Sequence, residues 1–321
     1  MSKIRTFIYL MPNNCISGYR ICTENFIVDE LQNIGCKILV VNHSYTNKVK
    51  ELLKKNSFEG IIFSSLRIIW NHKRILKIAK KLGVKTYWWY FDSAMAKTKL
   101  TRKVNKVAPK VDIFFNKDYE EFSRYRKMDI NPIWLDQGVS PVCNFVESDK
   151  YEFDLGFIGS ISFDHMDRTK KLMKLDEQYD LAVYTSDGKD FNKMGFKNIF
   201  SPVSHSEFGE VVAKTKIMLS LNASSNKPFV WSNRIHLLLG SGAFCIADYV
   251  QGIEKSYTHE KDCIFFHNFD ELFKLIDYWL KDDLKGEREK IRKQGFFTAH
   301  KKHSYNKRVN EFLNSLTLKY T

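Results

Sequence analysis

The chain of 321 residues has little proline (six) and little cysteine (six), and no apolar stretch approaching the ~18–20 residues that span a bilayer. Its most apolar run, 235–246, is short and is broken by Gly240, Ser241 and Gly242. The N-terminal apolar run is too short to read as a secretory signal. Cys15, Cys22, Cys36, Cys143, Cys245 and Cys263 form no Cys-x-x-Cys pair, so neither a zinc site nor a disulfide framework is expected. Reduced thiols and a cytoplasmic location follow as expectations. Also missing are Gly-x-x-x-x-Gly-Lys-Ser/Thr, Gly-x-Gly-x-x-Gly, Asp-x-Asp, Gly-x-Ser-x-Gly and His-Glu-x-x-His. Their absence removes the usual marks of P-loop nucleotide hydrolysis, dinucleotide oxidoreduction, metal-bound diphosphate chemistry, serine hydrolysis and zinc proteolysis.

Acidic residues are scarce in one place. The net charge is +14, and residues 1–150 hold 26 Lys+Arg against 14 Asp+Glu, so the second half is nearly neutral. Between Arg67 and Lys110 stand thirteen basic residues and a single acid, Asp92. Residues 67–82 have helical periodicity, with Lys73, Arg74, Lys77 and Lys81 on a polar face that also carries Trp70. Lys99, Arg102 and Lys103 continue the basic run. One reading is a solvated helix surface in a lysine-rich chain. The sharper one is a docking surface for a polyanion, and both nucleic acid and an anionic membrane surface fit it.

Apolar strands alternate with helical patterns along both halves. Strands are expected at 6–10, 37–42, 60–64, 86–91 and 111–116, then at 154–158, 180–184, 217–221 and 243–247, with helices between most of them. This is the pattern of parallel α/β sheets, two Rossmann-like halves in one chain. Pro132, Gly138 and Pro141 interrupt the rhythm over 130–151. The expected organisation is an N-terminal domain over 1–140, a linker over 141–152, a C-terminal domain over 153–302, and a final helix over 303–321 packing back on the first domain.

In open parallel sheets, ligands bind beyond the carboxyl ends of the strands. Three strand-end loops stand out. The first ends in Gly159 and Ser160, where a small residue permits close backbone approach. The second, Trp231-Ser232-Asn233-Arg234, opens a helix, and Arg234 in its first turn opposes the helix dipole unless an anion sits there. The third contains Gly252, Ile253 and Glu254.

Together with Arg168, the strand ending at Asn222, the Gly240-Ser241-Gly242 turn, the run from Asp270 to Leu280, Arg288, and the closing His303-Ser304-Tyr305 with Arg308, these loops resemble the C-terminal domain of CgeB-like, group 1 glycosyltransferases. The resemblance spans about 154–313. It implies a GT-B fold, two Rossmann-like domains facing across a cleft, with a nucleotide-sugar on the C-terminal domain and an acceptor on the N-terminal one. It further implies that Gly159 and Ser160 approach the diphosphate or sugar, that Asn233 and Arg234 bind the diphosphate, and that Glu254 lies beside the donor. Arg168, Asn222, Lys227, Ser232, Gly252 and Ile253 complete the expected donor site, with a UDP-sugar as the expected co-substrate. Many relatives carry a Glu three residues after the Arg to hold the ribose; Leu237 stands there in this chain.

Without Asp-x-Asp, neutralising the leaving diphosphate falls to cations, Arg234 helped by Lys227, and no metal is expected. For an inverting transfer, Asp92 is the first choice of base; a helix cap is its alternative role. His165 is a weaker candidate, and His236, inside an apolar helix, reads as a core residue. The charge split makes a hydroxylated base in DNA the leading acceptor. A cell-surface glycan or lipid-linked acceptor at a membrane is the second reading, and a non-catalytic sugar- or nucleic-acid-binding protein the third.

Overall fold

The computed structural model describes the chain except residues 1–3, 18–21, 65–68, 92–98, 149, 161–165, 186–194, 223–226 and 319–321, together with the side chains of 69–72 and 99–101. Runs of β-branched and aromatic residues in the first half form Thr6–Met11 (β1), Lys37–Asn42 (β2), Gly60–Phe63 (β3), Lys85–Tyr90 (β4), Ile113–Asn116 (β5) and Pro132–Trp134 (β6). All pair in parallel, in the order β2-β1-β3-β4-β5-β6.

Both faces of this sheet are covered, which is why its inner strands β1, β3, β4 and β5 are buried almost throughout, while the edge strand β2 alternates at its start. Phe7, Tyr9, Tyr87, Trp89 and Phe115 point to one face, against Phe26 and Leu31 of helix Thr23–Asn33 and Val309 and Phe312 of helix Tyr305–Leu318. Ile8, Leu10, Trp88, Tyr90 and Phe114 point to the other, against helices Thr46–Lys55, Ile69–Lys81 and Lys99–Val107. The C-terminal helix is thus part of the first unit, 1–137 with 305–321, while 138–304 form the second. Phe312 stacks on Trp89 with centroids 5.9 Å apart and packs edge-on against Tyr87 at 6.0 Å.

The second unit contains Phe153–Ile158 (β7), Leu181–Tyr184 (β8), Asn198–Phe200 (β9), Thr215–Ser220 (β10), Cys245–Asp248 (β11) and Ile264–Phe266 (β12), parallel in the order β12-β11-β10-β7-β8-β9. Leu155, Phe157, Leu219 and Ile246 on one face meet Leu172 and Leu175 of helix Met166–Gln178 and Leu272 and Ile276 of helix Phe269–Trp279. Arg288, 1% exposed, donates to the carbonyls of Trp279 (2.5 Å) and Lys281 (2.8 Å) and so caps that last helix. Its role is structural.

Two expectations are corrected. The interruption at 130–151 contains a strand, β6, whose proline is tolerated because it lies on the sheet edge. The expectation of six reduced thiols also fails: Cys15 and Cys22, seven positions apart in the sequence, form a disulfide, while Cys36, Cys143, Cys245 and Cys263 are free and buried. Their spacing matches no cysteine motif, so the sequence gives no sign of that pairing.

Candidate active site

In the second unit the chain runs from β7 outward to β8 and β9, then returns to β10 on the opposite side of β7. The carboxyl ends of β7 and β10 therefore flank the point where strand order reverses, the place where open α/β sheets leave a crevice. Two arginines meet there. Arg234, the first residue of helix Arg234–Gly240, turns back from the helix and donates through Nε to the Ile158 carbonyl at the end of β7 and through Nη1 to Leu221 just past β10 (2.7 Å). Arg168, from helix Met166–Gln178, donates to the same Leu221 carbonyl (3.4 Å) and to that of Ser160 (2.5 Å). Both guanidiniums lie over the Phe157 ring, at 4.4 and 5.6 Å.

These cations are almost wholly buried, Arg168 at 5% and Arg234 at 8% exposure. Burial, then the Arg168 guanidinium, pushes Arg234 down to about 9; burial pushes Arg168 down to about 10. Among the described residues Asp248, at the end of β11, is the acid that counters both. Asp248 accepts from the Asn222 amide (2.6 Å), pairs with Lys171 (3.7 Å), and is itself raised by burial. The thiol of Cys245 is pushed up to about 12 by burial and carries no charge at neutral pH. Two guanidiniums and Lys171 against one carboxylate leave a cationic crevice floor.

Close approach explains Gly159: a Cβ there would lie 2.1 Å from Arg234 Nη2. Asn222 ties the loops together, its Oδ1 accepting from Ser232 N (2.8 Å), and Ser232 Oγ accepts from Arg234 N (3.3 Å). Asn233 makes no cap hydrogen bond, and its Oδ1 is buried without a partner among the described residues. The expected conflict between Arg234 and the helix dipole is resolved differently from the sequence reading, since the charged head lies on strand carbonyls. Leu237 is buried and puts no carboxylate in the site.

Residues 168–314 match the family model described as Glycosyl transferase-like. Over these residues, most of the second unit, the chain resembles group 1 glycosyltransferases. No curated protein sequence matches it. Its fold is GT-B, shared with Anabaena HepE in complex with UDP and glucose (9% identity, TM-score 0.66, 98% of this chain and 100% of that one). A glycosyltransferase from Rickettsia africae is similar in the same way (14%, 0.62, 97% of each). So is an alpha-glucosyltransferase in complex with UDP and a 13-mer DNA containing a HMU base (11%, 0.68, 98% and 100%). The CgeB-like subgroup is not singled out by any of these matches.

Within the second unit, Gly159, Ser160, Arg168, Asn222, Ser232, Asn233 and Arg234 gather around the β7–β10 crevice. Lys171 and Asp248 join them, and sequence reasoning missed both because only the fold brings them there. The third loop is differently placed. Ile253 is buried and offers a ligand only its backbone, while exposed Glu254 closes its own turn by accepting from Gly252 N (2.8 Å). Gly252 has φ +100° and packs on the Phe229 ring. Lys227 is half-buried in the turn before that ring. His236 is a core residue bonded to the Tyr257 hydroxyl (2.7 Å). Lys73, Arg74, Lys77, Lys81, Arg102 and Lys103 belong to the first unit, half-buried at Lys73 and exposed at the others. Asp92, His165 and the side chains of Trp70 and Lys99 lie outside the described residues. Among the described residues no helix is long and apolar enough to cross a membrane.

Proposed function

We propose that the enzyme takes a sugar from a UDP-sugar whose diphosphate lies on the Arg168–Arg234 floor, and passes it to a hydroxyl group on a modified base in DNA. The observation that carries the donor half is the pair of buried guanidiniums at the strand-reversal point, countered by the single carboxylate of Asp248. Placing two cations in a water-poor crevice is costly unless an anion completes them. A diphosphate supplies that anion, and as the glycosidic bond to it breaks, the guanidiniums and Lys171 stabilise the charge that develops on the leaving oxygen. Gly159, Ser160 and Asn233 border this anion in the proposed complex, with Asn222 and Ser232 holding their loops. Arg168, Arg234 and Lys171 supply the positive charge that meets the leaving group in this proposal.

For the acceptor, the support is the concentration of positive charge on the first unit beside a near-neutral second one, together with the similarity to an alpha-glucosyltransferase crystallised with UDP and DNA. The acceptor oxygen bonds to the anomeric carbon as the carbon–diphosphate bond breaks. Its proton passes, in an inverting reaction, to the carboxylate of Asp92, the sole acid between Arg67 and Lys110. Mass spectrometry of hydroxymethylated duplex DNA after incubation with a panel of nucleotide-sugars tests the proposal. Sugar on the modified base and none on ordinary DNA is the expected result. UDP-sugar hydrolysis with no DNA product would remove the DNA acceptor and leave the donor half standing.

A further inference from the structure

The basic residues of the first unit are not spread evenly over its surface. Lys73, Lys77 and Lys80 repeat at four- and three-residue intervals on helix Ile69–Lys81, so they form one row about 10 Å long. Lys85, which opens β4, and Lys110, just before β5, face that row across a cavity of about 760 Å³. Its one acidic wall residue, Asp112, is already engaged. It accepts from the amide and hydroxyl of Thr86 (2.8 Å each) and pairs with Lys85 (3.4 Å). Five amines around one committed carboxylate make a strongly cationic groove.

Its position matters as much as its charge. The groove lies at the amino ends of β4 and β5, whereas the strand-order reversal of this sheet, between β1 and β3, opens at the carboxyl ends. A polyanion held here is gripped on the edge of the sheet opposite that crevice. The lysine heads are point charges on flexible stems, with no arginine fork among them to read a planar group. Such a surface suits a repeating phosphate chain and is indifferent to sequence. Among the described residues of 73–112, the stretch that supplies the groove's walls, Leu82 is the one exposed large apolar side chain, and the groove is concave. A bilayer surface asks for the reverse, a convex or flat face with apolar side chains to insert.

We infer that this groove is an anchoring site for the phosphodiester backbone of duplex DNA, separate from the place where sugar is transferred. The inference rests on the proposal that DNA is the acceptor. It holds a long duplex on the enzyme while a different part of the molecule receives the sugar, so it acts on KM for long substrates and not on the chemical step.

Fluorescence anisotropy with an unmodified 40-base-pair duplex tests it, comparing the wild type with Lys77→Glu/Lys80→Glu/Lys110→Glu and with Lys301→Glu/Lys302→Glu, which reverses exposed charge on the second unit. The groove variant should bind at least tenfold more weakly, with the slope of log affinity against log salt reduced by about 2 to 3. The second-unit variant should differ from wild type by less than threefold. Equal weakening in the two variants would overturn the inference, as would salt-sensitive binding of the wild type to vesicles containing phosphatidylglycerol without binding to duplex. UDP affinity, measured alongside, should be the same in all three proteins, and its loss in the groove variant would also count against a separate site. If duplex binding follows the groove but no sugar reaches hydroxymethylated DNA, the acceptor proposal fails and the anchoring site stands.

Discussion

Arg234 and Arg168 donate to the same oxygen, the carbonyl of Leu221, at 2.7 and 3.4 Å. Two like charges are brought together in a place with little water, held by strand-end carbonyls whose partial negative charge offsets only part of the repulsion. The fold supplies this pairing by returning β10 alongside β7, and each guanidinium arrives from a different helix. An anion placed between them would relieve the repulsion and lower the cost of burying both.

The first prediction concerns pH. Arg234 is lowered to about 9 in the free enzyme, and a diphosphate binds its protonated form. Binding the anion favours the charged form and raises that value again. UDP affinity should therefore be flat from pH 7 to 8 and fall as pH rises through 9, by up to about tenfold per unit. Calorimetric titration across pH 7–10 measures it. An affinity that rises over that interval would contradict the assignment.

Gly159→Ala places a methyl group where Arg234 Nη2 now lies. The guanidinium must move off the Ile158 carbonyl, and at φ +156° the added side chain also strains the backbone just past β7. UDP affinity should fall by about tenfold or more with a shift in melting temperature of only a few degrees. Binding equal to wild type would show that the position of Arg234 is unimportant for the donor.

Phe312 belongs to a helix from the far end of the chain yet sits under β4, against Trp89, Tyr87 and Phe115. Phe312→Ala should destabilise the first unit by about 3–5 kcal/mol. Urea denaturation followed by tryptophan fluorescence reads this directly, since Trp88 and Trp89 lie in the same sheet. A change below 1 kcal/mol would mean that the helix is not part of that core.

The Cys15–Cys22 disulfide links two residues seven positions apart in the sequence. Cys15→Ser/Cys22→Ser should cost about 2 kcal/mol by the loop-closure relation, and dithiothreitol should lower the melting temperature of the wild type and not of the variant. Equal melting with and without reductant would show that the bond does not form in solution.

Strands whose apolar runs are continuous are the easiest to read from sequence: 60–63 and 217–220 stand out by composition alone, and the edge strand 37–42 shows through its Ile-Leu-Val-Val run. The three that sequence patterning misses, β6, β9 and β12, are three-residue outer strands of the two sheets. Each has one neighbour, so little apolar sequence is needed to hold it, and β6 begins with proline. At the site, Arg234 and Gly159 are visible as strand-end and helix-start residues. Asp248 and Lys171 are not, since neither has a local pattern and their meeting depends on β11 lying beside β10. The burial of Arg234 was also hidden, because an arginine in a first helical turn gives no sign that its head folds back onto a strand.

The central claim is that the two buried arginines hold the donor diphosphate. It is tested most directly by titrating UDP into the wild type, Arg234→Ala and Arg234→Lys, each first shown by circular dichroism to be folded. Saturable binding to the wild type, at least a hundredfold loss in Arg234→Ala, and partial recovery in Arg234→Lys are predicted. Folded Arg234→Ala that binds UDP as tightly as the wild type would contradict it.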